Sequence, residues 1–362
     1  MYEGDAGLRS SSSFLITLMG GSILLIFTAF FIFPKNWNYE ALSSGSNVYF
    51  KSQSWGEIIE HLESSEGGFS MVAESSTDNS KEKMLTLLTN GKFQGNNVIG
   101  GEMVAQAAFA LLPLLHTESR ESALVIGYGT GMSAHVLERQ GFARLDIAEL
   151  SKDIVTLADK YFSEINGGVT KKDNVFMHYT DGRNYLLTQT RKYDLISIEI
   201  TSIWFAGAAN LYNEEFYSIA KSRLNENGVL QQWVQLHHMQ PLDLLYILGS
   251  IRAQFKYVWL YASGGQGIIV ASNDEESLRS PDLKNISGKI DNDVNVSIED
   301  LKHQLILNYR DIDKIIEKID PKQKWLKSTD NNLYLEYSTP KGNAIKDWSL
   351  EDNILMLKRM AE

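Results

Sequence analysis

Residues 123–132 read ALVIGYGTGM, and residues 143–150 read ARLDIAEL. The first four residues, 123–126, form a short apolar run of the kind found in a buried parallel strand. Gly127, Gly129 and Gly131 follow as G-x-G-x-G, and a helical run comes next. Residues 145–148 predict a second strand, with Glu149 at its carboxyl end. Glycines let the backbone turn tightly and approach a ligand closely, and a helix begins where they end. An acid at the end of the second strand can accept hydrogen bonds from both hydroxyls of a ribose. The competing reading is an ordinary βαβ turn with a chance cluster of glycines. The spacing is not G-x-G-x-x-G and no Walker lysine follows, which favours an adenosine-sulfonium ligand over a dinucleotide or ATP.

Outward from this unit, helical and strand patterns alternate. Residues 151–162 predict a helix, Val175–Tyr179 a strand, 183–190 a helix and 194–199 a strand. A helix at 212–224, a strand at 229–236 and a helix at 241–255 follow. Strands at 257–262 and 267–272 meet at Gly264-Gly265 as a hairpin. The alternation predicts a doubly wound parallel sheet with one antiparallel strand added at the end. That is a Rossmann-like, class I methyltransferase-type α/β sheet, spanning residues 123–273.

Ahead of it, residues 69–122 predict a β-hairpin unit, with the strong turn dipeptide Asn90-Gly91, followed by a helix at 102–115. Residues 1–13 are a polar tail. Residues 14–34 hold an uncharged apolar run, 14–33, long enough for a transmembrane helix. A cleaved signal peptide is the rival reading, but the single basic residue before the run and a poor cleavage site argue for an anchor. Residues 35–68 read as a linker, and 274–362 as a polar peripheral appendage with helical runs at 298–307 and 312–319.

Composition narrows the chemistry. The chain has 362 residues, 43% hydrophobic, with a net charge of −11, so broad nucleic-acid binding is not expected. It has no cysteine, which excludes disulfides, thiolate metal sites and a cysteine nucleophile. The adjacent His237 and His238 point in different directions and make a poor metal pair, so no metal is expected. In an open parallel sheet the ligand sits at the carboxyl ends of the strands. Asp181, followed by Gly182 after the third strand, can accept from the exocyclic amine of adenine, or cap the next helix, or both. Glu199 ends the fourth strand, where a carboxylate could orient or deprotonate an amine nucleophile. Trp204 and Phe205 could close over a ligand or simply pack.

Several segments in order resemble the spermidine synthase (polyamine aminopropyltransferase) family: LTNGKFQG, VIGYGTGM, YDLISIE followed by NLYNEEFY, GVLQQWVQLHHM, and the stretch from Ser328 to Tyr337. The chain is most similar to a bacterial branch whose synthase-like domain is attached to membrane helices. The resemblance implies decarboxylated S-adenosylmethionine as co-substrate and a small amine as acceptor. It places Glu149 at the ribose, Asp181 at the adenine, Gln106 in the pocket wall and Glu199 at the catalytic position. Thr130 stands where the family carries an aspartate that grips the donor's amine. Ser202 replaces a second loop acid, and Ile200 and Ile203 replace two prolines. These departures leave two alternatives open: an enzyme that uses intact S-adenosylmethionine for methyl transfer or another sulfonium cleavage, or a non-catalytic tethered binding or assembly protein. The expected setting is a single-pass membrane protein with a cytoplasmic globular part and a membrane-protein partner or second copy of itself.

Overall fold

The computed structural model describes residues 6–32, 37–65, 68–76, 83–200, 202–278, 286, 299–345 and 348–362. The chain divides into residues 1–42 and residues 43–362.

The first part holds helix α1 (Ala6–Ile32) and most of the short α2 (Tyr39–Ser43). The expected membrane span at residues 14–33 is corrected here: among the described residues, no helix is long and apolar enough to cross a membrane. The sequence expectation counted the apolar side chains between 14 and 33. Thr17, Gly20, Gly21, Ser22 and Thr28 lie among them. Ser22 Oγ donates to the Leu18 carbonyl at 2.9 Å, and Thr28 Oγ1 donates to that of Leu24 at 2.6 Å. The single-pass localisation therefore falls with the span.

The second part begins with α3 (Ser46–Tyr49) and a four-stranded antiparallel sheet in the order β1 (Glu57–Ser64), β2 (Gly68–Ser76), β3 (Lys83–Thr89), β4 (Lys92–Asn96). Asn90 (φ 51°) and Gly91 (φ 78°) make the β3–β4 turn, as the dipeptide predicts. The expected hairpin is thus half of a larger sheet. Helix α4 (Gly101–Leu114) leads from it into the main body, and Phe109, Leu111, Leu112 and Leu114 are fully buried.

The main sheet has eight strands. In chain order the elements are β5 (Ser122–Ile126), α5 (Met132–Arg139), β6 (Arg144–Glu149), α6 (Lys152–Tyr161), α7 (Ser163–Asn166), β7 (Val175–Tyr179), α8 (Gly182–Thr188), β8 (Tyr193–Ile198), α9 (Glu214–Ser222), β9 (Leu224–Val234), α10 (Pro241–Arg252), β10 (Tyr257–Ser263), β11 (Gln266–Ser272), β12 (Leu305–Leu307), α11 (Tyr309–Ile319), α12 (Tyr334–Ile345) and α13 (Leu350–Ala361). The spatial order is β12-β10-β11-β9-β8-β5-β6-β7. Strands β9, β8, β5, β6 and β7 are parallel, and β11 and β10 add antiparallel. Every residue of β5 and β8 is buried, as expected of central parallel strands covered on both faces. The chain runs outward from β5 through β6 and β7, then restarts at β8 on the other side of β5. The carboxyl ends of β5 and β8 therefore border the crevice where the strand order reverses.

The carboxyl-terminal region is more than a peripheral appendage. Leu305–Leu307 is strand β12, paired with β10, where a helical run was expected. Leu301, Leu307, Ile312, Ile315, Ile316, Leu326, Leu335 and Leu357 join the common core. Side-chain caps fix the ends of two of its helices: Asn308 with Asp311 on α11, and Ser349 with Asp352 on α13.

Candidate active site

The crevice begins with the glycine loop. Gly127, Gly129 and Gly131 all have positive φ (95°, 52° and 84°), which L side chains rarely adopt. A Cβ on Gly131 would also lie 2.5 Å from the Tyr128 ring. The start of the loop is tied to both neighbouring strand ends, since Gly127 N–H donates to the Ala148 carbonyl and Glu199 N–H donates to the Ile126 carbonyl, each at 2.9 Å. The Glu149 carboxylate sits against this loop. One oxygen accepts from Tyr128 N–H and the other from Ser151 N–H, both at 2.8 Å. Burial raises its pKa, opposed by the Ser151, Tyr128 and Leu150 amides and by the Lys92 ammonium.

Lys92 is a cation the sequence did not single out. It is 6% exposed on β4, and its Nζ lies 5.6 Å from the centroid of the Phe205 ring. Burial lowers its pKa to about 8, opposed by Glu149.

Across the loop, Thr130 is 1% exposed. Its Oγ1 donates to Gln106 Oε1 at 2.6 Å, and Gln106 Nε2 donates to Glu102 at 3.4 Å. Gln106 lines the cleft, with Glu102 one helical turn away on α4. That spacing was a usable signal: residues i and i+4 share a helix face, so an inward Gln106 implies an inward Glu102. Gly95 completes this corner, where a Cβ would lie 2.8 Å from both Gln106 Nε2 and Thr130 Cγ2.

Glu199 closes the crevice from β8. It accepts from Ser133 Oγ and, at 2.9 Å, from Ser197 Oγ. Ser197 Oγ also lies 2.7 Å from Gln231 Oε1, and Gln231 Oε1 accepts from Ile198 N–H at 3.2 Å. Burial raises the Glu199 pKa to about 7, with the two serine hydroxyls opposing. Gln94, Glu102, Gln106, Tyr128, Ser133 and Glu199 line this cleft together with the glycine loop.

Asp181 is the N-cap of α8, with Oδ1 accepting from Asn184 N–H at 2.8 Å. Gly182 serves packing: a Cβ there would lie 2.3 Å from Ile126 Cγ2. Both stand beside the same end of the sheet, next to β7.

A second cavity, of about 270 Å³, adjoins the first, and Glu102 lines both. Tyr49, Phe93, Trp204 and Trp233 contribute rings to its wall, among more numerous polar side chains. Tyr49 meets the Trp204 ring edge-on, with centroids 6.0 Å apart. The indole N–H of Trp204 donates to Gln235 Oε1 at 2.7 Å, and that of Trp233 to Gln266 Oε1 at 3.1 Å. Ser202, Lys51, Gln53, His237 and His238 complete the lining. The histidines, read from sequence as surface or core residues, thus border a cavity. Residue 201, inside the loop after Glu199, lies outside the described residues.

Fold and site together define an α/β protein with a class I methyltransferase-type sheet, a glycine loop after its first parallel strand and a half-buried acid after its fourth. The model of the spermine/spermidine synthase domain matches residues 102–277. Polyamine aminopropyltransferases are similar to the chain: that of Korarchaeum cryptofilum is 25% identical over 49% of this chain and 59% of the relative. That of Nitrosomonas europaea is 28% identical over 42% of this chain and 49% of the relative, and that of Thermoplasma volcanium 28% over 51% and 69%. The chain thus spans about half to two thirds of the length of these relatives. Among solved structures, the spermidine synthase of Thermotoga maritima superposes with a TM-score of 0.55 at 17% identity, over 68% of this chain and 82% of that one. A spermidine synthase in complex with the transition state analogue AdoDATO gives 0.57 at 16%, over 69% and 85%. At such identities the superpositions speak for the fold. By these matches the chain is similar to the spermidine synthase family and to polyamine aminopropyltransferases. They lend no support to the membrane-attached branch.

Proposed function

We propose that the protein transfers an aminopropyl group from decarboxylated S-adenosylmethionine to an amine. In this reading the glycine loop receives the adenosine, Glu149 accepts from the ribose hydroxyls, Asp181 accepts from the adenine amine through its remaining oxygen, and Gln106 lines the donor cleft. The acceptor enters through the aromatic cavity and meets the donor near Glu102 and Glu199. The amine nitrogen attacks the methylene bonded to the sulfonium. A C–N bond forms, the C–S bond breaks with its electron pair passing to sulfur, and a neutral thioether leaves. The proton released from the new ammonium passes to Glu199. The site's contribution is alignment of the two reactants and placement of that base.

The observation that carries this reading is the Glu199 carboxylate. It is held by Ser133 and Ser197 opposite the glycine loop, with burial lifting its pKa to about 7, a value suited to a base working near neutrality. The test is release of methylthioadenosine from decarboxylated S-adenosylmethionine in the presence of an amine, followed by chromatography. Glu199→Gln should lower turnover by roughly 10²–10⁴-fold and leave thioether affinity nearly unchanged. Unchanged turnover in this variant would remove Glu199 from the mechanism.

A further inference from the structure

Two carboxylates line the glycine-loop cleft. Among the described residues around it, Glu102 and Glu199 are the charged ones, and no lysine, arginine or histidine joins them. Such a cleft suits a ligand that carries positive charge on more than one atom. The two acids are held differently. Glu199 accepts from two hydroxyls, those of Ser133 and Ser197. Glu102 stands at the end of a chain of donors. Thr130 Oγ1 donates to Gln106 Oε1 at 2.6 Å, which leaves the Gln106 Nε2 hydrogens for Glu102 Oε1, at 3.4 Å. The chain runs from the glycine loop to the first turn of α4, and every hydrogen in it points toward the carboxylate. Among the described residues, Glu102 Oε2 is left open. Burial raises the Glu102 pKa, opposed by the Gln106 bond, so a cation arriving there would restore the charged form. Thr130 offers no substitute: its hydroxyl is uncharged and its proton is committed to Gln106.

We propose that Glu102 holds the terminal ammonium of the donor's aminopropyl chain and thereby selects decarboxylated S-adenosylmethionine over the intact compound. The inference rests on the transfer reading above and names the residue that chooses its donor. That donor carries a sulfonium and, at the far end of its propyl chain, an ammonium. In the transfer reading Glu199 serves the reacting methylene beside the sulfonium. The second carboxylate of the same cleft is then left for the second cation. Intact S-adenosylmethionine bears a carboxylate on the carbon that carries the ammonium. Seating it would bring an anion against Glu102 in a site that holds no compensating cation among its described lining residues, and like charges at close range repel.

The test is calorimetry on the full chain with decarboxylated S-adenosylmethionine, intact S-adenosylmethionine and methylthioadenosine, which lacks the ammonium-bearing chain. The parent should bind the decarboxylated compound about tenfold or more tighter than the intact one. Glu102→Gln keeps an oxygen for the Gln106 amide and removes the charge. It should weaken the decarboxylated compound by about 10–100-fold, shrink the preference over the intact one and leave methylthioadenosine affinity unchanged. Glu102→Asp, which keeps the charge on a shorter stem, should recover part of the loss. A purely structural role would weaken methylthioadenosine as much as the decarboxylated compound; that result, or undiminished affinity for the decarboxylated compound in Glu102→Gln, overturns the proposal. The transfer reading fails separately: if the ligands bind in the expected pattern and no amine is alkylated, Glu102 keeps its assignment. If the parent binds the decarboxylated compound no tighter than the intact one, the assignment falls whether or not transfer occurs.

Discussion

Thr130 Oγ1 donates a 2.6 Å hydrogen bond to Gln106 Oε1, joining the glycine loop to helix α4. Both side chains are buried. The threonine therefore has a structural partner at the position where the resemblance places an acid. Thr130→Val keeps the shape and removes the donor, leaving a buried amide oxygen without its partner. The expected cost is about 1–3 kcal/mol of stability, measured by urea denaturation. Thioether affinity should fall with it, because the loop loses its tie to α4. A variant as stable as the parent would mean that the bond contributes nothing net.

A second buried network lies within β6, away from the crevice. Asp146 is fully buried; it accepts from Arg144 Nε and an Arg144 terminal nitrogen, both at 2.8 Å, and pairs with His178 Nε2 at 2.7 Å. Burial alone would raise its pKa, but Arg144 and His178 outweigh burial and lower it. A carboxylate with a depressed folded-state pKa contributes stability above its unfolded pKa, lost as pH falls through the folded value. Asp146→Ala should cost about 1–3 kcal/mol, since it removes the acceptor of the partly exposed Arg144 and His178. It should also flatten the loss of stability below about pH 4, read from urea midpoints across an acid series.

Much of the α/β body was legible in the sequence, for identifiable reasons. Strands β5 and β8 are buried on both faces; residues 123–126 of β5 read as an apolar run, while Asp194 and Ser197 interrupt β8. The glycine triplet needs positive φ at all three positions, so its identity follows from backbone geometry. Gln106 and Glu199 line one cleft beside the glycine loop, and Glu149 sits against that loop, because each is set by a strand end or a helix face. Strand β1 was missed: EIIEHLES is half-exposed along its length and carries little contrast between faces. Strand β12 was missed because three residues are too short for a period, and its pairing with β10 is a tertiary event. The second cavity was invisible for a related reason. Tyr49, Phe93, Glu102, Trp204, Trp233 and Gln266 come from six separate segments, and only the folded chain brings them together. The span expected at residues 14–33 rests on an uncharged apolar run of bilayer-spanning length, and among the described residues no helix meets the requirement.

Lys92 gives a prediction at alkaline pH. Burial moves its pKa from the ordinary 10.5 down to about 8. Between those values the unfolded chain holds a proton that the folded chain has released, so stability rises with pH across this window. The ammonium form costs on the order of 3 kcal/mol relative to an exposed lysine. Lys92→Met removes that charge, so its stability should be flat from pH 8 to 10 while the parent's climbs. Parallel slopes for the two proteins would show that Lys92 keeps its proton throughout.

In the proposed transfer, the Glu199 carboxylate should set the pH dependence of turnover. Its pKa is raised to about 7 by burial, against the opposing hydrogen bonds from Ser133 and Ser197. As a base it must be ionised, so kcat should climb with pH and level off above about 7. The two serines stabilise the carboxylate, so removing either donor favours the protonated form. Ser133→Ala and Ser197→Ala should each shift the rising limb to higher pH, and the double variant further still. Stability should move in the opposite sense to activity. A carboxyl whose folded-state pKa is raised favours folding most below its unfolded pKa, and that contribution is lost as pH rises from 4.5 through about 7. Glu199→Gln abolishes the titration, so it should be the more stable protein at pH 8 by a larger margin than at pH 5, even as its turnover collapses. A pH–rate profile that does not move in the serine variants would place the titrating base elsewhere in the site.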